Sequence, residues 1–284
     1  MSQKSKGIMF IIMSAFFFAL MSLFVRLSGD LPVMQKSFFR NAVAALFALV
    51  ILLRSEDKFK FNPKNLPYLF ARAIFGTIGI LCNYYAVDHL VLSDANMLNK
   101  LSPFFAIIIS YFYLKEKASP VQISAVIIAF IGALCIIKPD FTSLSSVPAL
   151  VGALGGLGAG TAYTMVRKLS LNGERGPFIV FFFSVFSCLF CLPYLLVAYH
   201  PMTWMQLIIL LCAGAAAAGG QFCVTAAYSC APAKEISIFD YSQIIFSALF
   251  GFFFLQQLPD LISLLGYIII CSASAAMFFY NRKH

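Results

Sequence analysis

The chain has 284 residues, of which 61% are hydrophobic and 11% charged, with a mean hydropathy of +0.90 and a formal net charge of +9. Soluble domains run at roughly 45–50% apolar and about 25% charged residues, so a water-soluble globule is excluded. The excess of positive charge is read through the topology of the chain rather than as the mark of a nucleic-acid binder.

Apolar runs punctuated by charge, Gly or Pro predict helices over 7–26, 32–53, 66–87, 92–114, 120–138, 148–167, 177–198, 203–229, 235–255 and 260–280. At about 20 residues per crossing, ten spans use most of the chain and leave no room for a folded domain outside the bilayer. The first run follows Lys4 and Lys6 as a signal peptide would, but it is too long for one and no small-residue cleavage site follows, so it is read as a retained helix. Pro32, Pro67, Pro120, Pro177 and Pro259 stand at predicted helix starts, where the missing N–H costs least. Cys188 and Cys191 form a C-x-x-C, but in mid-span, between phenylalanines and without a neighbouring His. They are read as small apolar residues, and no metal site or cofactor is expected.

Basic residues assign the sides. With the N-terminus cytoplasmic, the inner connections and tails hold Lys4, Lys6, Arg54, Lys58, Lys60, Lys64, Lys115, Lys117, Arg167, Lys168, Arg175, Lys234, Arg282 and Lys283, against Arg26 and Lys138 outside. That asymmetry follows the positive-inside rule and puts both termini in the cytoplasm.

Sliding the chain against itself by 141 residues lays Val25-Arg26 on Val166-Arg167, Gly79 on Gly220, Cys82 on Cys223, Asp94 on Glu235, and Phe112 and Leu114 on Phe253 and Leu255. A constant offset that joins charged positions and span boundaries indicates duplication, with one repeat over 1–140 and the other over 141–284. Five spans per repeat is an odd number, so the second repeat enters the bilayer from the opposite side. The expected fold is an all-α membrane protein of ten transmembrane helices arranged as two inverted five-helix repeats, a construction typical of secondary transporters.

The stretch LKEKASPVQISAVIIAFIGALCIIKP (114–139), with Glu116 and Gly132, resembles the EamA family of the drug/metabolite transporter superfamily. FDYSQIIFSALFGFFFLQQLPD (239–260), followed by Gly266, resembles the same signature in the second repeat, and SFFRNAVAAL (37–46) the family's second helix. Gln257 departs from the pattern, standing where the family often has Glu. The resemblance covers essentially the whole chain and implies a ten-helix carrier with a central cavity; family members move amino acids, nucleosides, S-adenosylmethionine and other metabolites.

Candidate pathway residues come from polar positions inside the spans. In the fourth predicted helix Asn96, Asn99, Lys100 and Pro103 share one face, and the 141 shift carries them to Ser237, Asp240, Tyr241 and Ile244 in the ninth. A charged residue at a helix centre costs about 2.5–3.5 kcal/mol on insertion scales, so these stripes are expected to turn inward and line a cavity. The alternative is that Lys100 snorkels to the outer interface and Asp240 stays hydrated near the inner one. Arg40 and Arg72 lie about 10 Å inside their helices at 1.5 Å per residue. Each could grip a carboxylate or phosphate, or serve as an anchor reaching the interface. Asn83 and Tyr84 in the third helix, Gln221 and Thr225 in the eighth, and Tyr163 with Thr164 in the sixth could orient a polar ligand or make interhelical hydrogen bonds. Gly152, Gly156 and Gly160 form a small-residue face suited to close helix contact.

The sequence therefore predicts a secondary active transporter for a small polar metabolite, working by alternating access in the plasma membrane of a prokaryote. A lipid or amphiphile translocase and a drug exporter of the same fold are the alternatives. No nucleotide-binding motif is present, so the expected coupled species is a proton or a counter-substrate; the partners are the small-molecule substrate and the lipid bilayer, with no nucleic acid and no oligomeric state implied. An enzyme is not expected, since no His pair, H-E-x-x-H or G-x-S-x-G occurs.

Overall fold

The computed structural model describes residues 2–89, 98–137, 147–256 and 260–283, and among these residues all regular structure is helical. In chain order the helices are α1 (Gln3–Leu27), α2 (Val33–Arg54), α3 (Leu66–His89), α4 (Ser102–Ile109, continued by a wider turn over Ser110–Leu114) and α5 (Pro120–Ile137). The second set is α6 (Val147–Leu171), α7 (Gly176–Ala198), α8 (Trp204–Cys230), α9 and α10 (Leu261–Lys283). Helix α9 has three parts: Ala233–Ile236, a tight 3₁₀ turn over Ser237–Tyr241, and Ser242–Leu255. Nine helices among the described residues are long and apolar enough to cross a membrane, and α4 is shorter. The protein is a multi-pass membrane protein of ten helices in two repeats.

Local chemistry sets the helix starts. Ser2 accepts the Ser5 N–H at the head of α1, and Thr203 and Gln206 form a reciprocal capping box at α8. Pro32 precedes α2, Pro120 opens α5, Pro177 lies in the first turn of α7 and Pro67 is the second residue of α3, all places without an intrahelical demand on the missing N–H. Pro259 lies outside the described residues.

Two predicted helices differ from expectation. The fourth and ninth were expected to run unbroken over 92–114 and 235–255, but each is interrupted at the same place in its repeat. Leu98 and Asn99 are helical, Lys100 and Leu101 turn, and the helix restarts at Ser102 with Pro103 in its first turn. In α9 the interruption is the 3₁₀ turn over Ser237–Tyr241. Lys100, Ser237, Asp240 and Tyr241 thus sit at helix breaks rather than on continuous faces. Both helices also end alike, in left-handed residues 141 positions apart, Lys115 (φ 60°) and Gln256 (φ 54°).

The helices pack in symmetry-related sets. α1 lies along α8 as α3 lies along α6, and α1 meets α9 as α6 meets α4, while α2 packs on α7 and α5 on α10, each with its own mate. This pattern is what a two-fold relation between the repeats requires. The α5–α10 crossing is the closest: a Cβ at Gly266 would stand 2.5 Å from the Gly132 carbonyl, and one at Gly132 would stand 3.0 Å from the Gly266 carbonyl. The Gly152, Gly156 and Gly160 face lies against Leu98, Ser102 and Ala106, holding the broken fourth helix in place.

Gly266→Val should lower the thermal stability of the purified protein by about 1–3 kcal/mol, the usual cost of overpacking. Gly176→Ala, whose Cβ would meet only Thr225 Cγ2 at 3.6 Å, should leave the melting temperature nearly unchanged in the same assay.

Candidate functional site

The two helix breaks touch each other. Lys100 Nζ donates to Asp240 Oδ2 at 3.0 Å, to Gln243 Oε1 at 2.7 Å and to the Asp240 carbonyl at 3.4 Å, while the Tyr241 hydroxyl donates to the Lys100 carbonyl at 3.0 Å. The carbonyl that the α4 break leaves without a helical partner is therefore bonded by the residue that the 141 shift lays on Lys100 itself. The Lys100 and Asp240 side chains keep only 9% and 12% of their surface exposed, which excludes the snorkelling and hydrated-surface alternatives.

Around this pair lies an aromatic and cationic shell. Tyr163 of α6 stacks on Tyr228 of α8 with centroids 5.0 Å apart, and the Tyr228 hydroxyl hydrogen-bonds Ser237 Oγ at 3.2 Å, so two helices of the second repeat are tied to the α9 break. Tyr163 is within electrostatic range of Asp240, Arg72 and Arg40. Arg72 is buried on α3 with its guanidinium 4.0 Å from the centre of the Phe183 ring, a cation–π contact made possible because Gly76 has no side chain to fill that space. Arg40 is half-buried on α2.

Five of the residues expected from sequence bury a polar atom that no other protein group bonds: Arg72 Nε, Asn83 Oδ1, the Tyr84 hydroxyl, Gln221 Nε2 and Thr225 Oγ1. Buried polar groups are almost always bonded to protein or to an ordered small molecule, so these mark places where something polar is accommodated. Asn83 and Gln221 hold matching places, each seventeen residues from the first residue of its helix, and Asn83 packs against Gly155 of α6, next to Gly156, which meets Leu98 and Leu101 at the α4 break. Asn99 precedes the break and is half-buried, Ser237 is consumed by Tyr228, and Asn96 lies outside the described residues. Thr164 is structural: it bonds Ser110 and the carbonyls of Ala106 and Gly160.

Sequence reasoning missed Gln243, Phe183 and Tyr228. Gln243 carried a signal, a polar residue one turn beyond Asp240 in an apolar run; Phe183 and Tyr228 carried none, being single aromatics in a chain that has 32 Phe and 12 Tyr. Ion pairs at one end were also missed. Arg167 Nε donates to Glu116 Oε1 at 3.1 Å and Lys4 Nζ lies 3.6 Å from Glu235 Oε1.

Ten helices in two repeats that meet at paired helix breaks define the architecture of a membrane carrier. The chain belongs to the EamA-like transporter family, whose model matches residues 5–138 and 147–279, one match in each repeat. The pseudopaline exporter CntI of Pseudomonas aeruginosa is 30% identical over 273 residues, covering 95% of each chain. A riboflavin transporter of Brucella anthropi is 26% identical, covering 86% of this chain and 87% of that one, and the human solute carrier family 35 member G1 is 24% identical over 89% of this chain and 73% of its own length. A protein of known crystal structure shares the fold at a TM-score of 0.84 and 11% identity, over 97% of this chain and 98% of that chain. Its family and named relatives make this chain a transporter of small metabolites rather than an enzyme.

Asp240→Ala should destabilise the purified protein by about 3–5 kcal/mol, because it leaves a buried lysine without its counter-charge, whereas Lys100→Met with Asp240→Leu should recover most of that loss. Thermal unfolding of the two variants beside the parent checks both expectations.

Proposed function

We propose that the protein is a secondary active carrier in the cell membrane, with both termini cytoplasmic, that moves a small polar metabolite by alternating access through the Lys100–Asp240 contact. Arg40, Arg72, Asn83, Tyr84, Asn99, Tyr163, Gln221, Thr225, Ser237 and Tyr241 line its path. The observation that carries this reading is the coincidence of orphaned polar atoms with paired helix breaks. Unbonded polar groups on α3 and α8 accompany a charged contact between two interrupted helices, and interrupted helices in matching positions of two repeats are where carriers of this construction bind their cargo.

Lys100 and Asp240 then act as a neutralised pair that a polar substrate replaces. Substrate reaching the contact from one side offers its own charges to the ammonium and carboxylate, so the pair separates without leaving either charge bare. The repeats exchange conformations, and the site opens to the other side. Arg72, held over Phe183 with Nε unbonded, is the group that meets an acidic part of the cargo. Proton movement or counter-substrate exchange supplies the driving force. The names of the exporter from Pseudomonas aeruginosa and the riboflavin transporter support a polar organic cargo, and the former supports export as the direction.

A thermal-shift screen of purified protein against amino acids, nucleosides and S-adenosyl compounds, followed by flux in proteoliposomes, tests the proposal. A cargo present at 100 times its dissociation constant should stabilise the folded state by about 2.7 kcal/mol. Arg72→Gln should reduce both that shift and the flux at least about tenfold, as loss of a charge-assisted hydrogen bond does. Flipping of dye-labelled lipid without solute flux would replace the reading with that of a lipid translocase.

A further inference from the structure

At the end of the molecule where α1, α5 and α9 begin and α10 finishes, a cavity of about 210 Å³ opens between these helices. The ammonium groups of Lys4, Lys117 and Lys234 border it together with one carboxylate, that of Glu235, so positive charge is in excess there. Lys4 Nζ lies 3.6 Å from Glu235 Oε1 and meets that carboxylate. Lys234 donates to the Lys117 carbonyl at 2.7 Å, a bond that holds its ammonium at the cavity without neutralising it.

The uncharged groups of the wall are donors as well. Gln122 is buried, at 7% exposure, and takes part in a capping box at the head of α5. Its Oε1 accepts the Ser119 N–H at 2.9 Å, while Ser119 Oγ accepts the Gln122 N–H at 3.2 Å. The amide is thereby oriented with Nε2 left to the cavity, and among the described residues no protein group accepts from it. Ser119 Oγ also accepts the Tyr280 hydroxyl at 3.2 Å, which leaves the serine its own O–H to donate. Buried polar groups are almost always bonded, so ammonium, amide and hydroxyl donors converging on one cavity call for an oxyanion. Val121 and Ile123, on either side of Gln122, and Phe278 and Phe279, just before Tyr280, expose apolar side chains beside the cavity. In a membrane protein such surface faces acyl chains, so lipid reaches the cavity's edge.

We infer that this cavity is a phosphate site, filled by the headgroup of an acidic phospholipid. Basic pockets between spanning helices at the membrane surface attract such headgroups, each nearby lysine contributing a factor of about five in affinity. The unesterified oxygens of a phosphodiester accept from Lys117, Lys234 and the Gln122 amide, and its acyl chains lie along the apolar surface of α5 and α10. A bound headgroup bridges the start of α5 to the start of α9. Inorganic phosphate offers the same oxygens without the chains, which makes the two sources separable.

Native mass spectrometry of the full chain in detergent, with phosphatidylglycerol or phosphatidylcholine added, tests this. Phosphatidylglycerol should bind the parent more tightly than phosphatidylcholine, and Lys117→Gln and Lys234→Gln should each weaken it about fivefold. Lys64→Gln, which alters an exposed lysine between α2 and α3 at the same end, should change nothing. Gln122→Glu is the sharper variant. Glutamate completes the same capping box, so the melting temperature without lipid should stay that of the parent, but a carboxylate oxygen replaces the amide donor and phosphatidylglycerol binding should fall about tenfold or more. Inorganic phosphate, added to delipidated protein, is the second arm. A rise in melting temperature that Gln122→Glu abolishes, with both lipids bound alike, would keep the phosphate site and make free phosphate its occupant. Both lipids bound alike with no response to phosphate would overturn the inference, as would a Gln122→Glu protein that binds phosphatidylglycerol like the parent. Solute flux bears on the carrier reading alone, so the two stand or fall separately.

Discussion

An ammonium and a carboxylate 3.0 Å apart between two broken helices are the interaction on which the rest of the molecule depends. Neither charge is tolerable alone in the bilayer core, and each lies on a different repeat, so the pair obliges the two halves to meet there. Gln243 and Tyr241 complete the obligation. The amide accepts a second bond from the ammonium, and the phenol supplies a donor to the Lys100 carbonyl, which the interruption of α4 would otherwise leave bare. A membrane interior has no water to repair such a defect, so interrupted backbone persists only where partners of this kind are in place. Breaks and charges explain each other: the charges need the breaks for geometry, and the breaks need the charged and phenolic side chains for satisfaction.

Symmetry turns that local arrangement into a mechanism. The main contacts between the repeats are symmetry-related, from the α1–α8 and α3–α6 pairs to the glycine crossing of α5 with α10. A structure of this kind has two conformations of nearly equal quality, obtained by exchanging the repeats' roles, and departures from symmetry decide their populations.

Much of this was legible in the residues. The number and bounds of the helices follow from hydropathy, Pro and charge, and apart from the interrupted fourth and ninth the described helices depart from expectation by a few residues at their ends. The repeat is visible because charged and boundary positions recur at a constant offset. Lys100, Asp240 and Tyr241 stand out because charge and phenol are costly in apolar spans. The breaks in α4 and α9 were not read. Pro103 offered a hint for α4, but nothing in SIFDYS marks a 3₁₀ turn; its geometry follows from tertiary bonds made by Tyr241 and Ser237, with Ser242 Oγ closing locally on the Phe239 carbonyl. Phe183 and Tyr228 are invisible for another reason. Their roles come from what lies against them, a guanidinium in one case and a tyrosine ring in the other, and a phenylalanine under an arginine reads in sequence like any other phenylalanine in a span.

Opposite insertion of the two repeats is the premise that makes the paired breaks a crossing point. Single cysteines at Asp30, after the first helix, and at Leu171, at the end of the sixth, can be tested in intact cells with a membrane-impermeant maleimide, in a background lacking the native thiols. The account predicts that Asp30→Cys is labelled from outside and Leu171→Cys only after the membrane is opened. Labelling of both from the same side would contradict it.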